Sequence, residues 1–442
     1  MPKPQKRYVK LWMIMAGAVV FWAVGTGFVT RLSAGTEDIY QGLKLFSDVL
    51  EIVQEKYVEE VDTQELIQKA IQGMVQSLDP HSTLLPPEAY EDLRIDTQGN
   101  FTGIGIHITV RDGMVTVISP IEGTPAAKAG IQAMDRIIKV DDQEVEDLRQ
   151  AVNMMRGPKG TQVKVTVLRK GVQDPIEFEI VRDVIPVKSI KAQTLKPGYG
   201  YIWITNFTGN TTEDFLEALE KIEAENPQLK GLVLDLRNNG GGLLDQSIKI
   251  SDIFLDDGVI LSIKGRNEGN SKVFRATPSK VKRDYPMVVL INGGSASASE
   301  IVAGALRDQK RAILLGTPSF GKGSVQTVET LRDGSGLKLT VALYYTPSGQ
   351  SIQAKGIEPD IEVKYSQLVE EEEEADDVPF VKEKDLKNHL EIAPEPETQK
   401  GIRDMEYRVS PLELEGLMQD NQVMRALDVL VSYQLFQNLR LQ

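Results

Sequence analysis

At 442 residues the chain is long enough for two or three domains, each with its own core. Its formal net charge of -14 argues against non-specific binding to nucleic acid, and a cysteine count of 0 excludes a disulfide framework and thiol chemistry. The first ten residues carry Lys3, Lys6, Arg7 and Lys10, and the uncharged, mostly apolar stretch Leu11 to Val29 is long enough to cross a bilayer as a helix. Basic residues before it and Glu37 and Asp38 after it would keep the N-terminus inside and the bulk of the protein outside. Cleavage after Leu32-Ser33-Ala34 is the alternative, but Leu32 is a poor residue there and the run exceeds a usual signal core, so residues 1–34 read first as a membrane anchor.

Residues 35–97 form a helical segment. Leu43, Phe46, Val49, Leu50 and Val53, then Leu66, Ala70, Ile71, Met74 and Val75, recur at helical spacing, with a break near Val61-Asp62-Thr63 and a cap at Asp62 or Thr63. Leu78-Asp79-Pro80-His81-Ser82 ends these helices, and Pro86-Pro87 opens a short one through Leu93. Residues 98–184 read as a compact β-rich module. Strands are expected over Ile104 to Val110, Met114 to Ile118, Asp135 to Val140 and Val163 to Leu168, with helices at Pro125 to Gly130 and Val145 to Met155. That order, opened by Gly103-Ile104-Gly105-Ile106, resembles a PDZ domain. The resemblance implies a glycine loop whose backbone N–H groups take a substrate's terminal carboxylate, and a free strand edge that pairs with its last residues, with His107 as a contact in the groove.

From residue 185 to 368 strands and helices alternate. Tyr199 to Phe207 is a strand, Thr212 to Glu225 a helix capped at Asn210 or Thr211, and Lys230 to Arg237 a buried strand. Asn238-Asn239-Gly240-Gly241-Gly242 then turns into the helix Leu244 to Phe254, its glycines allowing close backbone approach at a helix N-terminus, and Asp235 and Arg237 can brace that loop. Val259 to Ile263, Leu337 to Tyr345 and Gly356 to Val363 add strands. The densest chemistry lies between 292 and 326. The apolar run Pro286 to Asn292 stops at Gly293-Gly294, and Ser295, Ser297 and Ser299 alternate with alanine before Glu300, Ile301, Ala303 and Leu306 set up a helix that ends near Asp308. A strand, a glycine turn and a helix N-terminus place a serine where N–H groups converge, which suits a nucleophile beside an oxyanion site.

A serine hydroxyl needs a base. The three histidines are poorly set for it: His81 lies before the alternating region, His107 in the β-rich module and His389 in a charged tail. Lys322 lies in a glycine-flanked turn, Gly316 to Gly323, after the strand Ala312 to Leu315, and burial there would lower its pKa towards the working pH. Gly316-x-x-x-x-Gly321-Lys322 begins like a phosphate loop, but Gly323 stands where Ser or Thr should follow and Val325 to Thr330 reads as strand, so nucleotide binding is set aside. Glu370 to Asp377 opens an acidic linker, 369–410, and the terminal segment 411–442 carries a helix from Asp420 to Leu439 that returns to the core or makes a dimer contact.

Gly294 to Asp308 and Phe320-Gly-Lys-Gly-Ser-Val-Gln326 together resemble the carboxy-terminal processing proteases, tail-specific serine proteases with an embedded PDZ domain. Tyr345 to Asp360 is similar to the family as well. The residues alone leave Ser295, Ser297 and Ser299 open. The resemblance selects Ser297 as nucleophile, with Lys322 as base and Gln326 as the residue that orients it. It implies an oxyanion donor from the N–H of Gly241 or Gly242, partnered by that of Ala298. Asp308 also matches a family position, where a helix-end structural role is equally open. Arg156 falls where the family's PDZ arginine would meet the protease domain, so that peptide binding brings it to the region of Gln326, and the N-terminal helical segment contributes to dimer contacts.

The expected fold is therefore α/β, a crotonase/Clp-protease-like βαβ protease domain with an inserted PDZ domain and helical segments at both ends. The expected function is a serine endopeptidase that needs no cofactor or metal and acts on proteins with accessible apolar C-terminal tails. It would face outward from an anchor in the cell envelope or be secreted after cleavage, as a monomer, homodimer or higher oligomer. An inactive PDZ adaptor is the alternative.

Overall fold

A computed structural model of the chain describes residues 38–267, 269, 271–366, 382, 385 and 414–440. The apolar stretch Leu11 to Val29, the cleavage position after Ala34, His389 and the acidic run Glu370 to Asp377 lie outside the described residues. Among the described residues no helix is long and apolar enough to cross a membrane. The chain divides into two compact units, residues up to 74 and from 75 on. In the first, α1 (38–56) and α2 (Thr63–Gln76) are separated by Asp62, whose Oδ1 accepts from the N–H groups of Gln64 at 2.7 Å and Glu65 at 3.3 Å. Asp62 is therefore the N-terminal cap of α2.

In the second unit, β1 (Thr83–Leu85) is followed by α3 (Pro87–Gln98). This helix runs past Leu93 because its left-handed cap is Gly99, at φ 74, where a Cβ would meet Thr208 Oγ1 at 2.5 Å. After β2 (Asn100–Gly103) come β3 (Ile106–Arg111), β4 (Met114–Pro120), α4 (Pro125–Ala129), β5 (Arg136–Val140), β6 (Gln143–Glu144), α5 (Leu148–Met155), β7 (Gln162–Leu168) and β8 (Ile176–Val181). They form one antiparallel sheet in the order β3-β4-β5-β7-β8, with β6 on β5. Val117, Val140, Val163, Val165 and Val167 fill its core. α5 starts three residues later than the apolar spacing from Val145 predicts, because Asp147 caps it through Gln150 N–H at 2.7 Å. β9 (Asp183–Pro186) pairs with β2, so the module enters and leaves on one two-stranded ladder.

β10 (Ile190–Lys196), β11 (Tyr199–Ile204), α6 (Thr211–Glu225), β12 (Gly231–Asp235), α7 (Leu244–Asp252), β13 (Val259–Gly265), β14 (Lys272–Arg275), β15 (Met287–Ile291), α8 (Ala298–Asp308), β16 (Ile313–Gly316), β17 (Ser324–Thr330), β18 (Gly336–Tyr345) and β19 (Ile361–Glu362) follow, and α9 (Leu414–Gln419) and α10 (Asn421–Arg440) close the chain. The central sheet runs β10-β11-β12-β15-β16-β19, parallel from β11 onward. Both faces are covered, which is why β12 and β15 are unbroken apolar runs. Leu232, Leu234, Val289 and Ile291 pack towards Phe215, Leu219, Ile250 and Leu306, while Val233, Val288 and Leu290 pack towards Val423, Ala426, Leu427 and Leu430 of α10. β17, β18, β13, β14 and β1 form a second, antiparallel sheet.

The strand expected over Gly356 to Val363 shrinks to β19. Gly356 is left-handed, at φ 72, and a Cβ there would meet Ser319 O at 2.5 Å, so the chain turns past the 317–321 loop before it can join the sheet.

Candidate active site

β15 delivers three serines to the start of α8, and their surroundings separate them. Ser295 and Ser299 are fully buried with their hydroxyls engaged: Ser295 Oγ donates to Leu236 O at 2.8 Å and accepts from Asn292 N–H at 3.0 Å, and Ser299 Oγ donates to Asn239 O at 2.8 Å. Both act as staples between the turns after β12 and β15. Ser297 is half-buried, caps α8, and holds φ 55 and ψ -111. A non-glycine residue at such angles costs about 1–3 kcal/mol and persists only where its neighbours over-determine it. Of the three, Ser297 is the one that is not fully buried.

The neighbours that hold it come from two loops. In the first, residues 238–242, Asn239 Nδ2 donates to Ile204 O at 2.7 Å, and its carbonyl accepts from Ala296 N–H at 3.0 Å. Asn238 and Asn292 exchange two hydrogen bonds of 2.9 Å. Gly241, at φ 104, lies so close to the serine turn that a Cβ would sit 2.8 Å from Ala296 O and Ser297 Cβ and 3.0 Å from Ala298 N. Its N–H donates to Asn239 Oδ1 at 2.9 Å. Gly242, at φ 136, bridges to Phe207 and is exposed. Gly241 thus lies against the serine turn, beside Ser297 and the N–H of Ala298.

The second loop is tied by Glu300, whose helical spacing alone marks it only as a helix-face residue. Glu300 is fully buried, and its carboxylate accepts four hydrogen bonds: Oε2 from the N–H groups of Ser297 at 2.8 Å and Lys322 at 2.9 Å, Oε1 from Gly321 N–H at 2.7 Å and Ser319 Oγ at 2.6 Å. One oxygen therefore joins residues 297 and 322, whose amide nitrogens are no further apart than the sum of those two distances. Burial pushes the Glu300 carboxyl up to about 7, against the four donors that favour its anion. The signal in the sequence was the Ser-x-x-Glu spacing of a capping box. Lys322 is half-buried, and its carbonyl accepts from Tyr344 Oη. Four residues on, Gln326 lies on β17 opposite Thr340, its Nε2 donating to Ser324 Oγ at 2.9 Å and Thr340 Oγ1 at 3.3 Å.

Asp235 and Arg237 brace the first loop from behind. Arg237 Nη2 meets Asp235 Oδ2 at 2.5 Å, and Nη1 reaches Asp420 Oδ2 at 2.8 Å and Gln422 Oε1 at 2.7 Å. Burial works against the guanidinium charge, but the two carboxylates more than restore it. The terminal helices thus reach the base of the 238–242 turn. Asp308 accepts from Ser348 N–H at 2.9 Å and holds the turn after β18. Among the described residues no cluster of three His, Asp or Glu is placed to hold a metal ion.

In the β-rich module, Gly103 ends β2, and Ile104 is buried with its carbonyl accepting from Ala126 N–H at 2.9 Å. Gly105 is left-handed, at φ 79, and packs on Thr124, whose Oγ1 donates to Gly105 O at 3.0 Å. Ile106 begins β3, an end strand of its sheet, with α5 beside it and His107 exposed on it. Arg156, at the C-terminal cap of α5, pairs with Asp92 of α3 at 2.7 Å and lies 6.0 Å from the centre of the Phe101 ring.

Family models match along most of this architecture: peptidase family S41 at residues 198–363, a PDZ domain at 102–180, and the N-terminal domain of the activating protease CtpB at 27–89. The carboxy-terminal-processing protease of Bartonella bacilliformis is 46% identical over 362 residues, covering 79% of this chain and 83% of that one. The chain belongs to the carboxy-terminal processing proteases of family S41. The carboxy-terminal processing protease CtpA of Bacillus subtilis is 38% identical over 368 residues, covering 81% of this chain and 78% of that protein. A solved photosystem II D1 C-terminal processing protease is 31% identical, covers 72% of this chain and 92% of its own, and superposes with a TM-score of 0.42. The S41 peptidase domain is the α/β part, with the PDZ domain set between α3 and β10 and helical segments at both ends.

Proposed function

We propose that this S41 peptidase cuts proteins by a Ser297–Lys322 dyad through an acyl-enzyme, and selects them by their C-terminal tails. The observation that carries the reading is the Glu300 carboxylate, which pins the backbone of the one accessible serine to the backbone of the one lysine in the facing loop. Neutral Lys322 Nζ takes the Ser297 proton as Oγ attacks the scissile carbonyl, then passes it to the leaving amine. Water enters by the same base and releases the acyl group. Gln326 orients the lysine. The developing oxyanion is met by Ala298 N–H and an N–H of the glycine loop. Because Gly241 N–H is already spent on Asn239, Gly242 is the better placed of the two glycines to donate.

The tail would enter between β3 and α5, adding a strand to the free edge of β3 while its carboxylate meets the N–H side of Gly103 to Ile106. Arg156, held to the body by one ion pair, is the contact through which occupancy would reach β17. The test is to assay the full chain and its Ser297→Ala form on an unfolded substrate with an apolar tail. Peptidase activity lost with tail binding intact supports the dyad. Equal behaviour of the two forms leaves a PDZ adaptor.

A further inference from the structure

Gln326 stands at one end of a hydrogen-bond chain that starts more than two hundred residues earlier in the sequence. At its far end is Asp79, in the turn after α2, only 4% exposed. Oδ1 accepts from His81 N–H at 2.8 Å, Ser82 N–H at 2.9 Å and Thr340 Oγ1 at 3.0 Å, and Oδ2 accepts from Ser82 Oγ at 2.6 Å. Burial works to raise this carboxyl, but the hydrogen bonds from Ser82, His81 and Thr340 hold it below the usual carboxylate range, so at neutral pH it only accepts. Ser82 Oγ in turn accepts from Thr340 N–H at 3.0 Å, which fixes β18 against this turn. Asp79 also acts on Lys338 of β18, whose amine burial pulls down and Asp79 partly restores.

The polarity of the chain then follows. Thr340 has one hydroxyl proton and gives it to Asp79, so towards Gln326 it offers lone pairs. An amide facing it must present Nε2, as it does at 3.3 Å, and that leaves Oε1 turned to the other side. A glutamine amide is nearly symmetric in shape, and packing alone would not choose between its two orientations. A hydroxyl obliged to accept does.

We propose that Asp79 and Thr340 are positioning residues for the peptidase reaction: they commit the Thr340 proton, and so hold Gln326 with its NH2 towards β18 and its Oε1 as the atom that receives the Lys322 amine. This rests on the assignment of Gln326 as the residue that orients Lys322. An Asp that merely closed its own turn would need only the N–H groups of residues 81 and 82. The bond to Thr340 and the onward bond to Gln326 are what exceed that role.

The experiment is steady-state kinetics of the full chain on a peptide ending in an apolar tail, across pH, for Thr340→Val, Thr340→Ser, Gln326→Ala and the double variant Thr340→Val/Gln326→Ala. Valine has nearly the shape of threonine and suits a strand, so melting temperature should hold. The expected result is a kcat about tenfold lower in Thr340→Val, a fraction of the ~10²–10⁴-fold that a positioned base contributes, with KM unchanged. The acid limb of kcat should move to lower pH, because an amide free to turn offers N–H to the lysine and disfavours its ammonium. Thr340→Ser should restore both, and Thr340→Val should add nothing in the Gln326→Ala background.

Unchanged kcat and pH profile in Thr340→Val, with Gln326→Ala impaired, overturns the relay and leaves the Gln326 assignment standing. An equal loss from Thr340→Val with and without Gln326 marks a merely structural threonine and also overturns it. Full activity of Gln326→Ala overturns the assignment itself, and the relay with it. Should Thr340→Val melt early, Thr340→Ala, which removes the same hydroxyl, is read in the same way, with the same shift of the acid limb expected and its absence counting against the relay.

Discussion

Ser297 and Arg156 both stand at helix ends, one at the start of α8 and the other at the finish of α5, yet their surroundings differ in kind. Ser297 holds strained angles inside a set of buried side chains that spend their hydrogen bonds on backbone: Glu300, Asn239, Ser295 and Ser299. Each would leave unpaired buried groups behind if its loop moved, at about 1–3 kcal/mol apiece. Arg156 keeps a third of its side chain exposed and is held by an ion pair whose partner Asp92 is half exposed. Pairs of that sort contribute ~0–1 kcal/mol. The peptidase turn is therefore set before a substrate arrives, while the Arg156 contact is cheap to exchange, as the proposed tail selection requires.

Breaking the fixed half should have the largest effects. Ser297→Ala should lower peptidase activity by ~10⁴-fold or more, and Lys322→Ala by ~10³-fold, with tail binding to the PDZ domain retained in both. Glu300→Gln puts an NH2 against donors, and should cost ~100-fold in kcat together with ~1–3 kcal/mol of stability, read by peptide assay and thermal melting.

The pH dependence sharpens the same point. With its carboxyl raised from an ordinary 4.5 to about 7, folded Glu300 binds a proton that the unfolded chain has released, so its contribution to stability falls as pH rises through that window. Its anion is nonetheless the form that accepts all four donors. Activity should therefore rise with pH through about 7 while this contribution to stability declines, and Glu300→Gln should lose that part of the stability slope. Arg156→Ala should do least: within ~1 kcal/mol in stability, with a loss of preference for tailed over untailed substrates. Equal rates and unchanged selectivity would leave Arg156 a surface residue.

What could be read from the sequence followed from local rules. The unbroken apolar runs of β12 and β15, the glycine turns behind them, and a helix ending at Asp308 all follow from neighbours in the chain. Which serine is accessible did not, because the groups that occupy Ser295 and Ser299 belong to Leu236 and Asn239, some sixty residues away. Glu300 showed only as a helix-face residue, although its spacing from Ser297 was a usable signal. The Asp79 to Thr340 contact spans 261 positions and leaves no local trace. Gly356 to Val363 looked like a strand because its apolar residues alternate, and only the close approach of Gly356 to Ser319 ends that reading.

The account turns on acyl transfer to one oxygen. The direct measurement is to mix the full chain with a slowly hydrolysed peptide ester bearing an apolar tail, quench in acid, and map the acylated residue by mass spectrometry. The acyl group should sit on Ser297, be absent from Ser297→Ala, and form ~10³-fold more slowly in Lys322→Ala, with the rise in rate with pH much reduced. An acyl group on any other residue, or an undiminished rate without the lysine, would contradict it.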